Sequence, residues 1–240
     1  MNNCKNCKTV VNQNYCPNCG IPITLPRING RYIFKEITSV LNFDKGILFT
    51  IKELLIRPEQ NVKSFIHEDR NRLVKPILFL IICSIFYSIA QQIFHFEDSY
   101  SYNGELEASS TVISITEWMQ NNYGFANILA AIFHAMWVKL LFRKYNYNFF
   151  EIIILLSFLM GIGMLIYMLF GILDSTTNIR VLHLGGLIGL VYISWAIGQF
   201  FDKNKKASYL KGFLSYLLGM VTFVIAASFL GIFIDLIQKL

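Results

Sequence analysis

Hydrophobic and polar positions divide this chain at Pro76. Beyond it lie five mostly apolar runs: Pro76 to Phe94, Tyr123 to Phe142, Phe149 to Leu173, Val181 to Phe201 and Tyr209 to Ile237. At ~1.5 Å per helical residue each can cross a ~30 Å hydrocarbon core, and the third and fifth are long enough to tilt or project beyond it. Between Arg27 and Lys75 the pattern is also helical, but charge interrupts it. Ile33, Ile37, Val40 and Leu41, then Ile47, Leu48, Ile51, Leu54 and Leu55, recur at helical spacing, with Asp44, Lys45, Lys52 and Glu53 among them. Pro58 suits the first turn of a further helix whose Val62, Phe65, Ile66 and Leu73 form one apolar face. Two placements fit these amphipathic helices equally: lying on a membrane surface, or packing on the ends of the spans.

Composition narrows the class. Of 240 residues, 55% are hydrophobic and 15% charged, against roughly 25% charged in soluble domains, and the mean hydropathy is +0.49. This excludes an ordinary soluble globule and a disordered chain. The formal charge of +6 sits entirely in the first third: residues 1–75 carry 12 Lys and Arg against 6 Asp and Glu, and residues 76–240 carry 9 of each.

Charge also orients the spans, because Lys and Arg near span ends favour the cytosolic side. Arg57, Lys63, Arg70, Arg72 and Lys75 precede the first span. The loop from His95 to Asn122 has no base and five acids, Glu97, Asp98, Glu105, Glu107 and Glu117. Lys139, Arg143 and Lys144 mark the next junction, Arg180 alone the one after, then Lys203, Lys205, Lys206 and Lys211, and finally Lys239. Rich and poor alternate, so the expected topology has five spans, a cytosolic N-terminus and a C-terminus on the opposite face. The first twenty residues lack the continuous apolar stretch of a secretory signal, which agrees. There is no internal repeat of the transporter type.

Four of the five cysteines lie in the polar head. Cys4-Lys-Asn-Cys7 and Cys16-Pro-Asn-Cys19-Gly20 form two Cys-x-x-Cys knuckles separated by eight residues. In a reducing compartment this pattern points to a metal, not to disulfides. Two knuckles supply four thiolates, a closed tetrahedral set that suits structural Zn2+; iron in the same geometry is the alternative. Gly20 suits a left-handed turn beside the sulfurs, and the first knuckle has Lys8 there. The expected fold is therefore an all-α integral membrane protein: a zinc ribbon at 1–26, amphipathic basic juxtamembrane helices at 27–75 and a five-helix transmembrane domain at 76–240. Nucleic acid is not an expected partner, since the ribbon has no histidine and no helix spaced to enter a groove.

Ionisable residues within the spans are few. Glu151, Lys211 and Asp235 lie near span ends, where they can snorkel, and His183 is interfacial. His134 lies deep in the second span; it reads either as a packed, hydrogen-bonded histidine or as part of an intramembrane site with Glu151. Gln91, Gln92, Asn127 and Gln199 can bond between helices. Gly185 and Gly189 have the small-x-x-x-small spacing of close helix packing, which leaves a homo-oligomer contact open. Cys83 stands in an apolar run without a base. No Gly-x-Ser-x-Gly, Gly-Lys-Ser/Thr or His-Glu-x-x-His motif occurs.

The ribbon, then Asn42-Phe-Asp-Lys-Gly-Ile-Leu-Phe-Thr50, Leu54-Leu-Ile-Arg-Pro58 and Phe65-Ile-His-Glu-Asp-Arg-Asn-Arg-Leu-Val-Lys-Pro76, resemble the domain-of-unknown-function family 3667. Leu140-Leu-Phe-Arg-Lys144 and Asn148-Phe-Phe-Glu151 extend the likeness, while Ile21 stands where the family often has Gln. The resemblance implies a bacterial inner-membrane protein with a cytosolic zinc ribbon and no assigned activity. A likeness to Yip-type five-span proteins is one of topology alone. The expected function is that of a non-enzymatic adaptor or organiser. In it the ribbon and Arg57, Lys63, Arg70, Arg72 and Lys75 engage a cytosolic protein or anionic lipid headgroups of the bilayer that anchors it. The alternative is a small-solute or ion transporter or channel with Asn127, His134, Glu151 and Gln199 along its path; an enzyme acting on lipid comes third.

Overall fold

The computed structural model describes residues 2–4, 7–12, 15–20, 46–97, 110–177 and 179–238. The chain divides into two compact units, Met1–Asn42 and Phe43–Leu240. The expected helical stretch from Ile33 to Leu41, the boundary at residue 26 and much of the acidic loop lie outside the described residues.

The first unit contains a short antiparallel pairing, β1 (Asn2–Asn3) with β2 (Val10–Val11). The second unit is helical. In chain order its helices are α1 (Ile47–Ile56), α2 (Pro58–His67), α3 (Pro76–Phe94), α4 (Ser110–Asn121), α5 (Tyr123–Leu141), α6 (Phe149–Thr177), α7 (Leu182–Asp202) and α8 (Lys206–Gln238). Four of these, α3, α6, α7 and α8, are long and apolar enough to cross a membrane. α5 spans nineteen residues, and its apolar stretch from Phe125 to Leu141 is shorter. The brief connections after α5, α6 and α7 force antiparallel neighbours.

The organising element is α6. Its residues Leu155 to Met164 are buried on every side, as expected of a helix apolar all round that other helices enclose. α3, α5 and α7 pack on it, and α8 packs on α5 and α7. Two glycines set how closely α8 can approach. A Cβ at Gly212 would stand 2.6 Å from the backbone oxygen of Ser194, and one at Gly219 would stand 2.1 Å from His134 Nδ1. The remaining surface of α8, including Val221, Ile225, Phe229 and Phe233, is exposed and apolar, which matches a lipid-facing helix.

The start and end of α3 agree with the sequence pattern to the residue, and α6 starts at Phe149 as expected but runs four residues further, to Thr177. The segment before α5 differs more. Its polar, acidic sequence reads as a loop, yet Ser110–Asn121 is the helix α4, packed against α8. Thr111 Oγ1 donates to Asp235 Oδ1, so the acid near the end of α8 has a partner on α4. Val112, Ile115 and Met119 recur at helical spacing within α4 and form its less exposed face, a signal outweighed in the sequence by the surrounding acids.

Candidate functional site

α1 and α2 are not left lying free. α1 packs on α6, and α2 packs on α6 and α7, while Leu48, Leu55 and Ile56 of α1 stay exposed. Gly46 precedes α1, and Thr50, fully buried, latches its first turn by donating to Gly46 O at 3.0 Å and accepting from Val74 N at 3.1 Å. α1 is thereby tied to the lead-in of α3. At its other end, the hydroxyl of Tyr192 on α7 donates to Leu54 O at 2.9 Å. Arg57 breaks the helix with φ −140° and ψ 62°, and Pro58 opens α2 at a position where a missing N–H costs nothing.

Asn61 locks the corner between α1 and α2. It is buried, and its Nδ2 donates both to Glu53 O at 3.0 Å and to Arg57 O at 2.8 Å. From the apolar face of α2, Phe65 meets Phe158 of α6 edge-on at 5.4 Å between centroids, and Phe158 meets Phe79 of α3 at 5.8 Å. Gln199, with its amide oriented to satisfy both neighbours, donates to Glu59 Oε2 at 2.9 Å and accepts from Trp195 Nε1 at 3.0 Å. That ties α7 to α2. The result is a two-helix platform held on the ends of α6 and α7 by apolar packing and by named polar latches.

On the outer side of this platform lies a polar cavity of about 430 Å³, lined by Glu53, Arg57, Gln60, Asn61, Lys63, Ser64, His67, Glu68 and Arg72. Arg57, Gln60, Ser64 and His67 recur at spacings of three and four, so they share the face of α2 opposite Phe65. That register was the available sequence signal for Gln60, Ser64 and His67. Across the cavity Arg72 Nη2 meets Glu53 Oε2 at 2.8 Å, and its guanidinium lies 5.6 Å from the Phe49 ring. Lys63 Nζ stands 5.5 Å from the Phe200 ring. Among the described residues neither Arg57 nor Lys63 forms an ion pair with a carboxylate.

The five bases before the first span therefore separate. Arg57, Lys63 and Arg72 line one cavity. Arg70 Nη2 instead donates to Ile66 O at 3.5 Å, near the end of α2, and Lys75 sits exposed at the N-cap of α3.

The intramembrane candidates have local partners. Glu151 completes a capping box at the start of α6: Asn148 N donates to Glu151 Oε2 at 2.7 Å, and Glu151 N donates to Asn148 Oδ1 at 2.9 Å. His134 is buried and stacks on Tyr216 of α8, with centroids 4.3 Å apart and planes 13° apart; its Nδ1 has no hydrogen-bond partner among the described residues. A second cavity, of about 570 Å³, lies among the long helices, with Asn127, Tyr87, Tyr167, His183 and Tyr216 among its lining residues. His134, Glu151 and Gln199 do not line it. Gly185 does, and a Cβ there would stand 2.5 Å from Cβ of Phe170, so that glycine serves packing of α7 on α6.

The cysteines of the first unit cluster. Cys4, Cys7, Cys16 and Cys19 bring their sulfurs within 4.8 Å of one another, with Cys4 to Cys19 at 3.5 Å and Cys7 to Cys16 at 3.4 Å. The knuckles repeat one turn. Lys8 N donates to Cys4 O at 3.0 Å and Gly20 N to Cys16 O at 2.8 Å, and both residues are left-handed, with φ of 64° and 70°. Glycine takes that conformation freely, whereas Lys8 adopts it at some steric cost. Cys7 Sγ also lies 3.3 Å from Thr9 Oγ1. Hydrogen bonds from the Thr9 side chain, then its backbone, then the Cys16 thiol lower the Cys7 thiol from its usual range to about 5. A tetrahedral ion with Zn–S bonds of about 2.3 Å needs sulfurs about 3.8 Å apart, so the four-thiol set fits a closed, four-coordinate metal.

No curated protein and no solved structure matches the chain. Residues 44–88 do match a family model, and that segment comprises α1, α2 and the first two-thirds of α3, with the Thr50, Asn61 and Arg72 contacts among them. Through it the chain matches the family described as "Protein of unknown function (DUF3667)", the one its motifs resemble.

Proposed function

We propose that this protein is a non-enzymatic membrane adaptor. Five spans, with α5 as the fifth, anchor it in a bacterial cell membrane; the α1–α2 platform faces the cytosol and engages anionic lipid headgroups or a cytosolic protein. Cys4, Cys7, Cys16 and Cys19 hold a structural Zn2+ that folds the N-terminal ribbon. When bound, the ion supplies cross-linking alone, because four thiolates leave no coordination position for substrate.

The observation that carries the reading is the platform. Ile47, Leu54, Val62, Phe65 and Ile66 pack into the helical core, Leu48, Leu55 and Ile56 stay exposed, and Arg57 and Lys63 have no carboxylate partner among the described residues. A basic residue near an anionic surface contributes about 1 kcal/mol, so a fixed group of them gives attraction and orientation without chemistry. The test is recovery of lipids and proteins with the intact protein in mild detergent. Arg57→Ala with Lys63→Ala should lose the associated material that the parent retains; equal recovery from both overturns the adaptor reading.

Transport is the second reading, favoured by the 570 Å³ cavity and by Asn127 in its wall. Flux in proteoliposomes that Asn127→Ala abolishes would support it. Flux equal to that of empty liposomes would remove it.

A further inference from the structure

We infer that the cavity between α1, α2 and the segment after α2 is a binding site for a phosphate monoester, an inference that rests on the proposed anion-engaging role of this end of the molecule. Three separate pieces of chain converge on it: Glu53 and Arg57 from the end of α1, Gln60, Lys63, Ser64 and His67 from one side of α2, and Glu68 and Arg72 beyond it. At about 430 Å³ it has the size of a small-molecule site.

The lining chemistry selects the ligand class. Arg57 offers a planar fork of N–H donors that matches two phosphate oxygens, and Lys63 adds a compact positive charge. Ser64, Gln60 and His67 can donate to the remaining oxygens. Glu53 is already turned to Arg72 at 2.8 Å, so that acid is engaged within the wall. Glu68 is left to accept from a ligand hydroxyl, which favours a phosphate carried on an organic group over a bare inorganic anion.

Fixity is the second part of the argument. Asn61 holds the α1–α2 corner through two hydrogen bonds, and Lys63 rests over the Phe200 ring. Phe200 itself is buried and packs on Tyr147 at 4.7 Å. The donors are therefore mounted on a packed surface, so less side-chain freedom is lost on binding than for lysines on a mobile tail.

A soluble phosphorylated molecule and a lipid headgroup present the same chemistry, and two arms separate them. The full-length protein in phosphatidylcholine nanodiscs is melted, with tryptophan fluorescence as the readout, in glycerol 3-phosphate and in sodium chloride of equal ionic strength. The second arm replaces part of the phosphatidylcholine by phosphatidic acid, whose headgroup is a phosphate monoester, or by phosphatidylserine, which lacks one. The inference expects a raised midpoint with glycerol 3-phosphate, with phosphatidic acid, or with both, and the responding arm names the source.

Arg57→Gln should weaken that response by about tenfold. Lys52→Gln, which removes an exposed charge of α1 outside the cavity, should leave it intact. The inference is overturned if neither arm exceeds its control, or if Lys52→Gln weakens the response as much as Arg57→Gln. Partner recovery is read separately: where neither phosphate arm responds but a protein co-purifies with the parent and is lost from Arg57→Ala with Lys63→Ala, the adaptor reading stands while the phosphate site fails.

Discussion

The cysteine head buries the side chains of Cys4 and Cys16 and pairs two residues of one short strand with two of another. The helical unit buries a continuous cluster that runs from Ile47 and Leu54 through Phe79, Leu155 and Phe158 to Ile197 and Phe200. The contrast teaches where stability comes from in each. Close van der Waals packing and interhelical hydrogen bonds can hold the helices together, since lipid offers no hydrophobic drive between apolar spans. Among its described residues the head has only its cysteine cluster buried, and under the proposed Zn2+ that cluster would supply its stability.

Metal removal should separate the two units most sharply. If a zinc ion folds the head, a strong chelator withdraws about 10–16 kcal/mol from it. Limited proteolysis should then cut within the first unit and spare residues beyond Phe43. Equal resistance with and without chelator breaks the contrast.

Substitutions in the helical unit should act through packing instead. Gly212→Ala forces a Cβ to within 2.6 Å of Ser194 O, and Gly219→Ala forces one against His134. Each should destabilise by about 1–3 kcal/mol, read as a lower melting midpoint in detergent, since the backbone atoms opposite cannot rotate away. Asn61→Ala removes two hydrogen bonds at the α1–α2 corner, at an expected cost of about 1–2 kcal/mol. Hydrogen exchange should rise first in α1 and α2, and unchanged exchange there would show that the corner is held by apolar contacts alone. The smallest effect should come from Thr222→Val, which loses the 3.1 Å bond from Trp137 Nε1 between α5 and α8; such bonds average about 0.6 kcal/mol.

Legibility followed the strength of the physical signal. The ends of α3 could be read from Pro76 and from the return of polarity after Phe94, because a long apolar run has few competing structures. The knuckles were equally plain, since cysteine spacing constrains geometry directly. α4 was masked by its acidic setting, although Val112, Ile115 and Met119 recur at helical spacing; in the fold Thr111 meets Asp235 and Val112 meets Gly231 of α8. The cavity was half legible. Arg57, Lys63 and Arg72 were visible as bases before a span, and helical spacing put Gln60, Ser64 and His67 on the face of Arg57, but the fold shows that Arg72 joins them while Arg70 and Lys75 do not. Glu151 reads as a span-end acid in one dimension and as a capping residue in three.

The central claim is that a metal-stapled head and a self-sufficient helical body share this chain. Metal content measured alongside far-ultraviolet circular dichroism, on the full-length protein and on Cys16→Ser, tests it most directly. The account predicts one zinc ion per chain in the parent, loss of that ion in Cys16→Ser, and the same helical signal from both. A parent protein without bound metal, or a Cys16→Ser protein that loses its helices together with its zinc, would contradict it.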